Sequence, residues 1–288
     1  MKIVVTGGSG LAGAFIVQDL VQQGYDVLSV DRVKPTQPIS AYRLVDMEDL
    51  GQVYGCAHGA DAIVHFAAIP RPIHDADEVV FRTNVMTTFN VLEAAAQLGI
   101  ARVVLASSVS VLGYPFNYHY FAPQAVPIDE DHALQPQDPY ALSKVVGETM
   151  AQAFVRRSGM TAISLRLAWI HTPETFKQQL QPMWADPAAG ASNLWAYVDA
   201  RDAAQACRLA LAVDGRGHEA FFIAAPNTFM KTPSLELVRQ FYAEAKTPAT
   251  WAGNPSLLST AKAERVLGFK ASYTWESYSE QVESTCSE

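Results

Sequence analysis

The 288-residue sequence predicts an α/β fold built on a doubly wound parallel sheet. Three observations lead there. Short apolar runs alternate with segments of helical period through the first half of the chain, the runs are continuously apolar, and a glycine-rich turn separates the first run from the first helical segment. Strand–helix alternation implies right-handed crossovers between parallel strands. Such strands are covered by helices on both faces and have no solvent side, so their side chains read as unbroken apolar runs.

Residues 3–5 form the first expected strand. Residues 11–23 form a helix whose apolar stripe runs through Phe15, Ile16, Leu20 and Val21, and Gly24 stops it. Strands follow at 27–30, 42–45, 62–66 and 102–106, with an Ala- and Leu-rich helix over 77–98. Asp138 and Pro139 open a long helix, Asp as N-cap and Pro at the first helical position, and a strand at 162–167 comes after it. Beyond Pro173 the alternation loosens. Pro-, Ala- and Gln-rich stretches over 173–192 precede a strand near 195–198, a helix near 200–212 and a strand near 220–224, and the chain from 233 onward reads as mostly helical. The expected organisation is a nucleotide-binding domain over 1–166, to which 194–213 return. A smaller, discontinuous C-terminal substrate lobe takes 167–193 and 214–288.

Hydrophobic residues make up 49% of the chain and charged residues 17%, enough for a sizeable core. The net charge of -8 leaves no basic surplus to displace counterions, which excludes a general nucleic-acid binder. Cys56, Cys207 and Cys286 are far apart and odd in number, so neither a disulfide framework nor a metal site is expected, and the histidines show no metal-ligand spacing. The N-terminus reaches its glycines too soon for a signal peptide. No apolar run approaches the roughly 20 residues that span a bilayer. A soluble, cytoplasmic protein with no membrane partner is the expectation.

Between the first strand and first helix lies Thr6-Gly7-Gly8-Ser9-Gly10-Leu11-Ala12-Gly13. Glycines there permit a tight turn, close approach of backbone amides to a pyrophosphate, and close helix–strand packing, and the helix N-terminus favours the phosphate charge. Two registers fit: Gly8-x-Gly10-x-x-Gly13 and Gly7-x-x-Gly10-x-x-Gly13. Asp31 ends the second strand, where a carboxylate accepts the adenosine ribose hydroxyls and repels a 2′-phosphate, favouring NAD over NADP. Arg32 pulls the other way, and a turn-capping role is the alternative for Asp31.

Tyr140 and Lys144 stand four residues apart in the first turns of the helix opened by Asp138, on one face. An ammonium beside a phenol favours the phenolate and suits it to proton transfer near neutral pH; the same ammonium suits a nicotinamide ribose. Ser107 and Ser108 follow an apolar run at the expected carboxyl end of a strand, where ligands bind in such sheets. A serine there orients a reacting hydroxyl, the alternative being a local backbone bond. A second pair, Tyr242 and Lys246, has no strand-end serine before it and reads as ordinary helix surface.

Together these residues resemble the extended short-chain dehydrogenase/reductases, the NAD-dependent epimerase/dehydratase group, with its Rossmann-type nucleotide-binding domain. The resemblance extends through Asp46-Met47, His65-Phe66-Ala67-Ala68, Asn84, Tyr197-Val198-Asp199 and the segment 262–269. It implies Tyr140 as acid/base, Lys144 as its electrostatic partner and ribose anchor, and Ser108 as the substrate-orienting hydroxyl. It implies NAD contacts at Gly7, Gly10, Leu11, Ala12, Gly13, Asp31 and Arg32, then at Asp46, Met47, Phe66, Ala67 and Ala68. Asn84, Ala106, Ser107, Tyr140 and Lys144 complete that set. The implied reaction is hydride transfer between a carbinol carbon of a sugar-like substrate and nicotinamide, and the implied assembly is a homodimer through the helices containing 84–98 and 140–156.

The pattern departs from the nucleotide-sugar enzymes at two positions. Trp169 stands where many carry an Asn, and Asn193 where they often carry an Arg that grips a diphosphate; such charge-assisted bonds are strong ones. The segment 169–174 and Gly113-Tyr114-Pro115 are similar to uronate dehydrogenases. A dehydrogenase of a free aldose or uronate is therefore the alternative function, and a non-catalytic dinucleotide sensor the alternative from another class, which an intact Ser–Tyr–Lys set disfavours. Arg71 and Lys177 are candidate receivers for a sugar-acid carboxylate or else solvated loop cations. Tyr114, Phe116, Tyr118, Tyr120 and Phe121 either wall the substrate site or pack at a subunit contact.

Overall fold

In the computed structural model, residues 1–278 are described apart from 214 and 216; Cys286 and the rest of 279–288 lie outside the described residues. The first half of the chain runs β1 (Lys2–Thr6), α1 (Leu11–Gln22), β2 (Asp26–Asp31), β3 (Ala41–Leu44), α2 (Leu50–Ala57), β4 (Ala62–His65), α3 (Asp77–Leu98) and β5 (Arg102–Ser108). There follow α4 (Pro139–Ser158), β6 (Thr161–Leu167), β7 (Trp169–His171), α5 (Pro173–Thr175), α6 (Ala188–Ala191), β8 (Tyr197–Asp199), α7 (Ala200–Ala212), β9 (Gly217–Ile223), α8 (Ser234–Phe241) and α9 (Ala261–Leu267).

Seven strands form one sheet in the order β3-β2-β1-β4-β5-β6-β9, each pair parallel. The chain winds outward from β1 through β2 and β3, then returns to β4 on the other side and winds the opposite way. The crevice between β1 and β4 is the point of reversal, where α/β sheets bind ligands beyond their strand ends. Alternation along β1 shows why its run is apolar throughout. Ile3 and Val5 belong to a core layer with Ile16 and Leu20 of α1 and Ala206 and Ala210 of α7, whereas Val4 joins Ile63, Val91, Leu92 and Ala95 on the other face. Each buried Val, Leu or Ile side chain contributes about 1.5–3 kcal/mol.

Local signals set the helices that carry the site. Asp138 caps α4, its side chain accepting the Ala141 N–H at 2.9 Å, and Pro139 occupies the first turn. Gly99 and Gly159, with φ of 69° and 74°, end α3 and α4 in the left-handed conformation that glycine adopts without penalty.

Three expectations need correction. β9 is the outer strand of the main sheet, pairing with β6 from Thr161↔Gly217 to Leu167↔Ile223, so the part of the substrate lobe placed at 217–223 belongs to the nucleotide-binding sheet. The segment from 233 onward is not mostly helical: over the described residues it holds α8, α9 and long connections. Those connections satisfy their amides elsewhere, as where the Asp202 carboxylate accepts the N–H groups of Ser272 and Tyr273 at 2.9 and 3.0 Å. Tyr242 is no surface residue either; it follows α8, is 2% exposed and donates its hydroxyl to the Ala191 carbonyl. β7 and β8 form a separate two-stranded parallel sheet beyond the carboxyl end of β6. Among the described residues no helix is long and apolar enough to cross a membrane.

Candidate active site

β1 ends at Thr6 and the chain turns at Gly7, whose φ is +70°. A Cβ on Gly7 would lie 2.6 Å from the Ala67 nitrogen and 2.7 Å from the Phe66 carbonyl carbon; one on Gly13 would lie 2.0 Å from the Gly7 oxygen. A Cβ on Gly8 would press on the Ser29 hydroxyl at 2.2 Å, a side-chain atom. Backbone meets backbone at Gly7 and Gly13, which selects the Gly7-x-x-Gly10-x-x-Gly13 register. Gly10 is the N-cap of α1 and brings no capping side chain, so the first-turn amides of Leu11, Ala12 and Gly13 suit an anion. This cradle fits a dinucleotide pyrophosphate.

Asp31 closes β2 half-buried and does brace the turn, accepting the Ser9 N–H at 3.0 Å and the Val33 N–H at 3.3 Å. A carboxylate has about four acceptor positions, so ribose hydroxyls remain within its capacity. Arg32 is exposed. Asp46 is exposed with Oδ1 accepting the Glu48 N–H at 3.0 Å, while Met47 is buried and its carbonyl accepts from Asn90. Across the crevice, the Thr6 hydroxyl accepts the Phe66 and Ala67 N–H groups, each at 3.2 Å, and lies 2.7 Å from His65 Nδ1. Its proton therefore points to Nδ1, which fixes the Nε2–H tautomer of His65 facing Thr88 Oγ1 at 3.3 Å. Burial and the charge of Lys144 hold His65 neutral, its pKa lowered to about 3.

The side chains of Asn84 and Ser107 are engaged within the protein. Asn84 is 2% exposed; its Oδ1 accepts the Ile69 N–H at 2.7 Å and its Nδ2 donates to the Ile69 carbonyl and to Ser143 Oγ. Its side chain shapes the turn after Ala68 from behind. The Ser107 hydroxyl turns away and donates to Glu148 Oε1 at 2.6 Å. Glu148 is fully engaged by Arg166, whose Nε and Nη2 donate at 3.0 and 2.9 Å, with both side chains 7% exposed. This buried pair, tying the end of β5 to α4 and β6, went unrecognised in the sequence; its signal was the continued four-residue spacing Tyr140, Lys144, Glu148.

Ser108 is the last residue of β5, and its Oγ accepts the Ser110 N–H at 3.1 Å. Tyr140 and Lys144 occupy successive turns of α4, with Lys144 Nζ 5.4 Å from the centre of the Tyr140 ring and donating to the Ala106 carbonyl at 2.8 Å. The three side chains thus meet at the carboxyl ends of β5 and β6. Burial pushes the Tyr140 phenol up to about 12, with a hydrogen bond from Ser108 opposing the rise. Burial also lowers Lys144 to about 8. Desolvation favours the uncharged form of each group. Behind Lys144 lies a small buried cavity lined by His65, Asn84, Thr88, Ser107 and Glu148.

The candidate substrate residues scatter. Tyr114, a candidate for the substrate wall or a subunit contact, is 2% exposed, packed on Phe121 at 4.6 Å with its hydroxyl donating to His132 Nε2 at 3.1 Å. Trp169 is half-buried against His171. Arg71 and Lys177 are exposed on the loop after β4 and the turn after α5. Tyr118 and Tyr120 are exposed and donate to Asp77 and to the Phe241 carbonyl. Phe116 alone of the aromatic cluster meets the Tyr140 ring, edge to face at 6.4 Å.

Sheet order, glycine cradle and the Ser–Tyr–Lys corner define a dinucleotide-dependent enzyme of the short-chain dehydrogenase/reductase class. The family model described as NAD dependent epimerase/dehydratase family matches residues 3–224, and the chain belongs to that family, whose cofactor is NAD. A UDP-glucose 4-epimerase of Lacticaseibacillus casei is 29% identical over 95% of this chain and 92% of its own. A uronate dehydrogenase of Pseudomonas putida is 29% identical over 58% of this chain and 60% of its own length. Among solved structures, MoeE5 in complex with UDP-glucose and NAD superimposes with a TM-score of 0.73 at 24% identity, covering 99% of both chains.

Proposed function

We propose that the enzyme transfers a hydride between a carbinol carbon of a sugar-like substrate and nicotinamide, with Tyr140 as acid/base. The observation that carries this reading is the convergence of Ser108, Tyr140 and Lys144 where α4 meets the carboxyl end of β5. NAD supplies the hydride-accepting ring when bound. Ser108 holds the substrate hydroxyl, Tyr140 exchanges its proton, and Lys144 stabilises the phenolate and anchors a ribose. The family also contains epimerases and dehydratases, and a free-sugar dehydrogenase is the reading favoured by two side chains. Asn193 donates to the Ala196 carbonyl at 2.7 Å within its own turn, and Trp169 offers an indole where an amide would hold a nucleotide sugar.

Absorbance of NADH during incubation with NAD and a series of aldoses and uronates tests the reading. Net NADH marks a dehydrogenase; interconversion of sugars without it marks an epimerase. Tyr140→Phe is expected to keep NAD affinity while turnover falls about 100- to 10,000-fold; unchanged turnover removes Tyr140 from the chemistry. The proposed assembly is a homodimer through α3 and α4, supported by the exposed apolar side chains Met86, Phe89 and Leu142 on those helices.

A further inference from the structure

We infer that Phe116 is a specificity-determining wall of the substrate site, packing on the C–H face of a sugar ring held against Tyr140. The inference rests on the hydride-transfer reading above and names a contact for its substrate.

Phe116 sits in a conformation that its side chain disfavours: its φ is 58°, in the left-handed region where bulky residues are rare. Strained residues persist where their surroundings over-determine them, and they cluster at functional sites. The surroundings here are explicit. Gly113, at φ +86°, packs so closely on Gln135 that a Cβ would lie 1.9 Å from its carbonyl oxygen. Tyr114 is anchored in the core through His132. Beyond Phe116, the N–H groups of Tyr118 and His119 both donate to Gln137 Oε1, at 3.0 and 2.7 Å, and Gln137 Nε2 returns a bond to the His119 carbonyl. Gln137 lies three residues before Tyr140. The loop is therefore fastened on both sides of Phe116 to the segment that carries the acid/base.

The ring so placed is not filling the core. It stands edge to face with Tyr140 at 89° and remains 38% exposed. A rigidly held, half-open aromatic ring beside a phenol that handles a hydroxyl proton presents an apolar surface to whatever carries that hydroxyl. Pyranoses and furanoses have polar edges and C–H faces; a ring alongside gains by covering the apolar face while the hydroxyls keep their polar partners. A small aliphatic alcohol has too little surface to benefit. The wall selects for cyclic polyols.

The test compares wild type with Phe116→Asn and Phe116→Tyr. Asn tolerates the left-handed backbone, so Phe116→Asn is expected to melt no lower than wild type and to bind NAD unchanged by calorimetry. With saturating NAD, kcat/KM for the best aldose or uronate is expected to fall about tenfold, carried mainly by KM, as for loss of binding felt equally in the ground and transition states. Phe116→Tyr is expected within about threefold of wild type. A Phe116→Asn enzyme within twofold of wild type on the sugar, or a loss matched by NAD affinity, overturns the inference while leaving the hydride-transfer reading intact. If wild type neither makes NADH from any sugar nor interconverts any, saturation-transfer NMR with the same sugars separates the two ideas. Saturation of ring C–H protons by wild type and not by Phe116→Asn keeps the wall and discards the reaction; no saturation by wild type discards the wall as well.

Discussion

Two glycines inside helices make opposite predictions on replacement by alanine, and the contrast probes the cofactor cradle. Gly147 is buried in α4, and a Cβ there would find only Thr88 Cγ2 at 3.7 Å, an ordinary contact. Gly147→Ala is therefore expected to stabilise the protein by up to about 1 kcal/mol, the helix-propensity difference, raising the melting temperature by about 2 °C in a chain of this size. Gly13 lies in the first turn of α1, and the same substitution puts a methyl 2.0 Å from the Gly7 oxygen and 2.8 Å from Gly8 Cα. Real Cβ contacts are essentially never under 3.0 Å, so that carbonyl must retreat by about 1 Å and drag the turn with it. A 1 Å displacement is enough to break hydrogen bonds from the turn and from the helix N-terminus to a pyrophosphate. Each bond to a charged group contributes about 1.5–3 kcal/mol, so losing two weakens NAD at least about 100-fold. Calorimetry with NAD alongside thermal melts of both variants measures this. A Gly13→Ala protein that binds NAD within about threefold of wild type would refute the assignment of the cradle.

Lys144→Met removes a charge that burial disfavours: the ammonium falls from 10.5 to about 8. At pH 7 the lysine is protonated folded and unfolded, so its full penalty is present. That penalty is at most about 3 kcal/mol, less what residual exposure and the lost bond to Ala106 take back. A gain on the order of 1–2 kcal/mol is expected at pH 7. It fades as pH climbs from about 8 to 10.5, because the unfolded wild type then binds more protons than the folded one and gains stability; melts at pH 7 and 10 read this, and an advantage constant with pH refutes it. Glu148→Gln leaves the Arg166 guanidinium buried without its partner and is expected to destabilise by about 3–5 kcal/mol, with the Glu148→Met/Arg166→Met pair losing far less; urea denaturation distinguishes them. The double variant Met86→Lys/Leu142→Lys is expected to sediment as one chain while wild type sediments as two, and equal masses remove the proposed interface.

What the sequence disclosed was local. The cap at Asp138, the stop at Gly24 and the glycine turn each follow from a few neighbouring residues, because backbone geometry and helix ends are decided within one turn of chain. The apolar strands were legible for a related reason: burial on both faces leaves no alternation to confuse. What escaped needed partners far along the chain. Ser107 meets Glu148 across 41 residues, and Asp202 takes the amides of Ser272 and Tyr273 across about 70, so neither the turned-away serine nor the unwound C-terminal segment had a local mark. The edge position of β9 escaped likewise, since its run reads as an ordinary strand and only pairing with β6 assigns it. Helical spacing placed Lys144 beside Tyr140, whereas the burial that raises the phenol depends on packing from distant parts of the chain.

The turn before β8 bears on the choice among family chemistries. Leu194 and Trp195 are successive non-glycine residues at positive φ, 55° and 49°. Conformations of this kind cost of order 1–3 kcal/mol each and persist only where surroundings enforce them. The enforcement is visible: Trp195 is fully buried, its indole donates to the Pro187 carbonyl at 2.8 Å, and it packs so tightly on Gly190 that a Cβ there would lie 2.6 Å away. Asn193 completes the turn with its bond to Ala196. An arginine at 193 would forfeit that bond, and its longer side chain would have to leave a turn organised around burying Trp195. The chain thus uses Asn193 to hold the turn that buries Trp195, and it sets an aromatic ring, Phe116, beside Tyr140. Under the proposed function, both features favour a ligand recognised by its ring and hydroxyls over one held by phosphate charge.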